Sequence, residues 1–334
     1  MTMHTALVTG GFGFLGSWIV RTLRDEGVQV RVFAVPGEPR GNLDGVELES
    51  VIEGDIRDPE HARRAVDGCD TVFHAAAIYS DWAPDPTLMY DVNLRGTYNM
   101  LEASKRAGVA RVIYTASIVS LGRPLPGRLA DETTPYEAWS IDFPYSRSKF
   151  HSRELAEYFA AWGLDVRVVC PAIVLGPGDV RPTPSGQLLI NVAGGAAPPA
   201  YYDGGGCYVD VRDAARVHVL AAQRGKAGER YLAAAHNLHN RDFVEAIAAV
   251  VGRRRRLFRL PEPVARGIAR GYARRARKTG EPPLFSRDMF EYSLRPNFYD
   301  NRKARGELGA TFRGIHETIA DALEYFREVG KLAR

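Results

Sequence analysis

A chain of 334 residues, 45% hydrophobic and 25% charged, is long enough for one large domain or two modest ones and has the balance of an ordinary globular protein. A net charge of +4 is too small to imply general nucleic-acid affinity, and Cys69, Cys170 and Cys207 form no pair or cluster with metal-ligand spacing. No run approaches the roughly 20 apolar residues that span a bilayer, and Met1 to Thr5 shows no signal-peptide pattern, so a cytoplasmic protein is expected.

Short apolar runs alternate with amphipathic stretches along the first half of the chain. Ala6 to Thr9 reads as a strand, about Phe14 to Asp25 as a helix, and Gln29 to Val35 as a second strand. Further strands are expected at Glu49 to Glu53, Thr71 to His74, Arg111 to Thr115 and Val166 to Val169. This alternation predicts an α/β fold, a doubly wound parallel sheet of the Rossmann kind. From Gly176 onward prolines and glycines imply long loops. The expected division is a dinucleotide-binding domain from 1–175 and 207–249, with a smaller substrate-binding lobe from 176–206 and 250–334.

The first strand runs into Thr9-Gly10-Gly11-Phe12-Gly13-Phe14-Leu15-Gly16. Gly10, Gly13 and Gly16, three apart at a strand-to-helix junction, permit a tight turn and bring backbone N–H groups to a pyrophosphate at the positive end of the helix. A turn that only packs leaves the three glycines unexplained. Gly54-Asp55-Ile56 sets a carboxylate at a strand end, where it can accept a hydrogen bond from an adenine amine, while Asp58 before Pro59 reads as a helix N-cap. Tyr145 and Lys149 are four apart and share a helix face, and an ammonium beside a phenol favours its anion. Lowering a phenol pKa of about 10 by about 3 units takes roughly 4 kcal/mol, which Lys149, a bound nicotinamidium and the helix start after Pro144 share. Ser117, at the end of an apolar strand, is placed to hydrogen-bond a reacting oxygen.

The glycine triplet, Gly54-Asp55, His74-Ala75-Ala76-Ala77, Asn93 in Val92 to Thr97, Ser117, Tyr145 with Lys149, and Pro171 ahead of Gly176-Pro177-Gly178 follow one another in an order that resembles the extended short-chain dehydrogenases/reductases. The resemblance covers essentially the whole chain. Within that family the chain is most similar to the dihydroflavonol-reductase and 3β-hydroxysteroid-dehydrogenase-like branch, and Gly176 to Gly186 also resembles the hopanoid-associated sugar epimerase group. The resemblance implies that Tyr145 is the acid/base, that Lys149 tunes it and holds the nicotinamide ribose, and that Ser117 polarises the substrate oxygen. It further implies cofactor contacts from Gly10, Phe12, Gly13 and Phe14, with Gly16 completing the triplet, from Asp55 and Ile56 at the adenine, from Ala75, Ala76 and Asn93, and from Pro171 and Ile173 at the nicotinamide face.

Ala34 and Val35 stand where relatives carry the acid that selects NAD or the arginine that selects NADP. Arg40, and secondarily Arg31, can reach a 2′-phosphate and no carboxylate is placed to repel one, so the reading favours NADP over NAD. Ile118 and Val119 replace the Asp-Glu pair of the dehydratases, and Cys170 replaces an asparagine common in sugar-nucleotide epimerases. The expected activity is therefore interconversion of a secondary alcohol and a ketone on a hydrophobic substrate of sterol, triterpenoid or flavonoid type. The rival readings are a sugar epimerase with retained cofactor and a non-catalytic dinucleotide sensor, the latter disfavoured by the presence of Ser117, Tyr145 and Lys149 together. Tyr79, Trp82, Tyr201, Tyr202 and Tyr208 are candidates for an apolar substrate pocket, or else pack between the lobes. An arginine-rich segment, 253–278, suggests a helix from about Pro263 to Lys278 with Val264, Ile268 and Tyr272 along one side and Arg266, Arg270 and Arg274 along another. Such a helix either rests on anionic lipid or is a solvated basic face. A homodimer is left open.

Overall fold

The computed structural model describes residues 3–80, 82, 84–141, 143–253, 256–281, 283 and 286–333. In the first half, strands β1 (Thr5–Thr9), β2 (Gln29–Ala34), β3 (Ser50–Glu53), β4 (Thr71–His74), β5 (Arg111–Thr115) and β6 (Val166–Pro171) lie close to their expected places. Between them run α1 (Phe14–Asp25), α2 (Pro59–Val66), α3 (Thr87–Tyr90), α4 (Thr97–Ala107) and α5 (Pro144–Ala161), with a π-helical turn, Asp91–Gly96, joining α3 to α4. Asp58 caps α2 by accepting from the Glu60 and His61 amides, and Pro59 occupies the first turn where its missing N–H costs nothing.

The second half adds β7 (Ile173–Leu175), α6 (Pro184–Gly194), β8 (Ala200–Tyr201), β9 (Gly205–Asp210), α7 (Val211–Arg224), β10 (Arg230–Ala233) and β11 (His236–His239). It continues through α8 (Asn240–Val250), β12 (Phe258–Arg259), α9 (Glu262–Thr279), α10 (Arg287–Ser293) and α11 (Ile315–Glu328). Seven parallel strands form the main sheet in the order β10-β6-β5-β4-β1-β2-β3. The winding reverses between β1 and β4, so the glycine turn after β1 and the His74 to Ala77 segment after β4 sit side by side at the carboxyl edge, where doubly wound sheets bind ligands. Helix α1 packs on α7, and α4 on both α2 and α5, giving a helical layer on each side of a sheet whose central strands are buried.

The division by residue range needs correcting. Segment 207–249 splits: α7 and β10 join the main sheet and its helices, whereas β9 pairs with β7 and β11 in a separate three-stranded sheet and α8 packs on α6 and α11. A fully buried strand such as β9 reads alike in sequence whichever sheet receives it. Conversely, Tyr299, Ala304, Leu308 and Ala310, expected in the smaller lobe, belong to the Rossmann core. The arginine-rich segment is helical as expected, but α9 buries Ala265, Ala269 and Ala276, with Ala265 and Ala269 against Phe290, and leaves Val264 and Ile268 exposed. Arg254 and Arg255 lie outside the described residues.

Candidate active site

The glycine turn is built by steric necessity. Gly10 takes φ +66°, and a Cβ there would stand 3.0 Å from the Ala76 Cα; a Cβ on Gly16 would lie 2.0 Å from the Gly10 carbonyl oxygen. Gly13 caps α1 with no side-chain hydrogen bond, and no acid occupies the first helical turn, so the positive end of α1 faces the crevice beside Phe12 and Phe14. A second turn clasps the first: the Trp18 indole donates to the Pro177 carbonyl at 2.7 Å, and the Asn42 amide donates to the Phe12 and Gly178 carbonyls, each at 3.1 Å.

A one-way hydrogen-bond chain ties this edge together. Thr97 Oγ1 donates to the Asn93 carbonyl at 2.7 Å, so His74 Nε2 must donate to Thr97 (3.0 Å) and its Nδ1 must accept from Thr9 Oγ1 (2.8 Å), which in turn accepts from the Ala76 amide. This fixes one neutral tautomer, and burial pushes His74 down to about 3. The Asn93 side chain accepts from the Ile78 amide at 2.8 Å and donates to the Ile78 carbonyl and to Ser148 Oγ, each at 3.0 Å. Both its amide hydrogens are thus committed to bracing α5 against the β4 extension, a positioning role.

Tyr145 lies in the first turn of α5, set by Pro144 at the helix start, and Lys149 follows one turn on. Ser117, just past β5, caps a 3-10 turn, Ile118–Ser120, by accepting from the Val119 amide, and its hydroxyl lies near enough to Tyr145 to pull the phenol down. That turn is pinned from far along the chain by Tyr299, whose hydroxyl donates to the Ile118 and Gly122 carbonyls at 3.2 and 3.3 Å. The three expected catalytic residues therefore converge. Lys149 is only 4% exposed and donates to the Thr115 carbonyl at 2.9 Å. Burial pushes its ammonium down to about 8 and pushes the Tyr145 phenol up to about 12, against the pull of Ser117. In the protein alone desolvation therefore raises the phenol and the Lys149 ammonium is turned to a carbonyl, whereas the expected lowering counted also on a bound nicotinamidium. Thr115 is itself held by His218, whose Nδ1 donates to the Ala214 carbonyl (2.7 Å), leaving Nε2 to accept from Thr115 Oγ1 at 3.1 Å.

At the adenine end the Asp55 carboxylate is gripped by Arg57 through 2.6, 2.9 and 3.1 Å contacts, which hold it below the usual carboxylate range. Ile56 is buried, and a Cβ on Gly96 would meet its Cδ1 at 2.5 Å. Arg40 lies over the Phe12 ring, 5.6 Å from its centroid, and pairs with Glu53 at 2.9 Å. Since Ala34 and Glu53 are in register on β2 and β3, a carboxylate does stand at this edge, supplied by the neighbouring strand, which corrects the expectation that none was placed to oppose a phosphate. Arg31 is paired with Glu49 near the other end of β2.

Around Tyr145 the walls are apolar. Tyr79 meets it edge-on at 4.7 Å, and Val119, Phe143, Tyr292 and Met289 cluster with it. Phe143, Met289 and Tyr292 carried no sequence signal, because α10 reaches the site only through the fold. Trp82 is half-buried, with its backbone held by Ser80. Tyr201 lies on β8, paired with β12. Tyr202 and Tyr208 are taken up by packing instead of lining an open pocket: Tyr202 lies against Phe290 and bonds Ser293 at 2.9 Å, and Tyr208 stacks on Phe243 at 4.1 Å. Pro171 ends β6 in the interior, and Ile173 on β7 faces Tyr208 in register.

Residues 6–234 match the NAD dependent epimerase/dehydratase family. The chain belongs to this family. It is an NAD(P)-dependent extended short-chain dehydrogenase/reductase of the dihydroflavonol-reductase and 3β-hydroxysteroid-dehydrogenase-like branch. It is 32% identical to the "Putative dihydroflavonol 4-reductase" of Synechocystis sp., over 97% of this chain and 94% of that protein. It is 31% identical to "Sterol demethylase protein B" of Methylococcus capsulatus, over 98% of this chain and all (100%) of that protein. Among solved structures, that of gox2253 superposes with a TM-score of 0.86 at 33% identity, covering 98% of this chain and 99% of the other. In this short-chain dehydrogenase/reductase the glycine turn, Asp55 and Ser117 follow the carboxyl ends of strands of the one sheet, with Tyr145 and Lys149 on the helix beside Ser117.

Proposed function

We propose that this enzyme interconverts a secondary alcohol and a ketone on a hydrophobic, polycyclic substrate of sterol, triterpenoid or flavonoid type, with Tyr145 as the acid/base. The observation that carries the reading is the Tyr145 phenol set beside Ser117, with Lys149 one helical turn on, between apolar and aromatic walls. The nicotinamide supplies or accepts a hydride. In the reducing direction Ser117 donates a hydrogen bond to the carbonyl oxygen, and Tyr145 transfers its proton to the oxygen as negative charge develops there. Lys149, one turn away, supplies positive charge to the phenolate left behind and a hydrogen-bond donor to the ribose. The names of the sterol and dihydroflavonol relatives, together with Tyr79, Phe143 and Tyr292 around the phenol, support a flat apolar substrate.

Arg40 supports a modest preference for NADP, tempered by its pairing with Glu53. The test is Tyr145→Phe assayed with NADPH against a panel of ketosteroids and dihydroflavonols. Turnover falls at least about a hundredfold while cofactor affinity is kept, because only the transferable proton is lost. Near-normal turnover overturns the mechanism. Stoichiometric cofactor consumption separates this reading from epimerisation, which regenerates the cofactor in each cycle.

A further inference from the structure

Helix α9 is oddly oriented for a surface helix. Its inner face is made of alanines, Ala265, Ala269 and Ala276, while the larger apolar side chains Val264 and Ile268 are 50% and 45% exposed. Phe258, four residues before its start, is exposed too. The only acid on α9 is Glu262, and it pairs with Arg266, which also bonds Glu291. Arg270, Arg274, Arg275, Arg277 and Lys278 have no acidic partner among the described residues. At 100° per residue, Val264, Ile268 and Arg275 fall on one exposed flank, with Arg274 and Lys278 beside them. Gly267 and Gly271 lie on the same outer side, with nothing within 4 Å of a Cβ on either.

We propose that α9 docks this protein on an anionic lipid bilayer, with Val264 and Ile268 entering the headgroup boundary and Arg274, Arg275 and Lys278 meeting lipid phosphates. Charge complementarity selects the occupant. Arg274, Arg275 and Lys278, with no acidic partner among the described residues, complement an anionic surface, and exposed branched aliphatic side chains gain from acyl chains what they cannot gain from a nucleic-acid backbone. The contact is peripheral, since no helix among the described residues is long and apolar enough to cross a membrane. Its place in the fold gives it a use. Helix α9 packs on Phe290 of α10, and Met289 and Tyr292 of the same helix pack in the cluster that holds Tyr145, so the docking face backs onto the catalytic side of the substrate lobe. Delivery of a lipid-borne substrate rests on the proposed activity, whereas docking itself does not.

The experiment is co-sedimentation of the full chain, without substrate, with vesicles of phosphatidylcholine alone or mixed with phosphatidylglycerol, at low and high ionic strength. Binding is expected to the mixed vesicles alone and to weaken with salt. Arg274→Gln with Arg275→Gln lowers the partition coefficient roughly 25-fold, about fivefold per charge. Val264→Ser with Ile268→Ser, at unchanged charge, lowers it about tenfold or more. These positions are exposed, and circular dichroism melting checks that each variant folds. No binding to anionic vesicles at low ionic strength overturns the proposal. Wild-type binding by the Val264→Ser/Ile268→Ser variant also overturns it, leaving plain charge attraction. So does displacement from the vesicles by an equal concentration of duplex DNA phosphate, which would assign the face to nucleic acid.

Discussion

Replacing Gly16 with alanine sets two effects of opposite sign against each other. In the first turn of α1 alanine is favoured over glycine by about 1 kcal/mol of helix propensity. The new Cβ, however, would lie 2.0 Å from the Gly10 carbonyl oxygen and 2.8 Å from its carbon. Both are backbone atoms, so no rotamer change relieves the contact. The same oxygen accepts from the Gly13 amide at 3.0 Å, and Gly10 is backed by Ala76, so the turn has to retreat by about 1 Å as a unit. Overpacking of this kind costs about 1–3 kcal/mol, which leaves a net loss of up to about 2 kcal/mol and a Tm lower by up to about 4 °C. The displaced atoms are those that would face a pyrophosphate, so the Kd for NADPH rises at least about tenfold, beyond what stability alone explains. Gly267→Ala is the matched control. It sits in the interior of α9 with open space around its Cβ, so propensity acts alone and stability rises by about 0.5–1 kcal/mol. Thermal unfolding and fluorescence titration with NADPH read both variants. A Gly16→Ala protein with wild-type Tm and affinity, or a destabilised Gly267→Ala protein, refutes the steric reasoning.

For the reducing direction, kcat/KM stays level through neutral pH and falls as pH rises through about 8, where buried Lys149 loses its proton; Tyr145, pushed up to about 12, remains a proton donor throughout. The inflection disappears in Lys149→Met, and its persistence there would assign it to another group. Glu53→Gln releases Arg40 and removes a nearby negative charge, so NADPH tightens relative to NADH by about 3- to 10-fold, while Arg40→Ala abolishes the preference; paired dissociation constants check both, and an unchanged ratio in Glu53→Gln contradicts the pairing argument. Asn93→Ala leaves the Ile78 N–H and C=O and the Ser148 hydroxyl short of a partner and costs about 2–4 kcal/mol in urea denaturation, where wild-type stability would disprove the brace.

The sheet and the grouping of Ser117, Tyr145 and Lys149 were legible because each rests on local pattern. The strand runs, the glycine turn and the four-residue Tyr145 to Lys149 spacing are written in adjacent residues, and α1 begins and ends where the apolar period of Ile19, Val20 and Leu23 requires. What escaped depends on register and distance. Nothing near Ala34 announces that Glu53 lies beside it, since strand pairing is a property of the folded sheet. The buried run of β9 has no feature that assigns it to one sheet or another. Tyr202 and Tyr208 looked like pocket aromatics because an aromatic in a Gly-rich segment reads the same whether it faces a ligand or Phe290 and Phe243. The burial of Tyr145 and Lys149 escaped for a related reason: spacing reports proximity and is silent on desolvation, the largest cause of the shift in both groups.

The pinning of the Ser117 turn by Tyr299 bears on when this enzyme becomes an enzyme. During synthesis β1 to β6 emerge first, with most of the sheet and the whole catalytic trio, yet the carbonyls of Ile118 and Gly122 wait for a hydroxyl 181 and 177 residues downstream. The sheet edge beside β6 likewise stays open until β10 arrives, and the core face that receives Ala304, Leu308 and Ala310 stays uncovered until later still. Contacts of such separation close slowly, and an unpaired parallel edge in the meantime is a surface for aggregation. A nascent chain arrested before residue 299 would therefore carry Ser117, Tyr145 and Lys149 and still lack the contact that fixes the serine's turn.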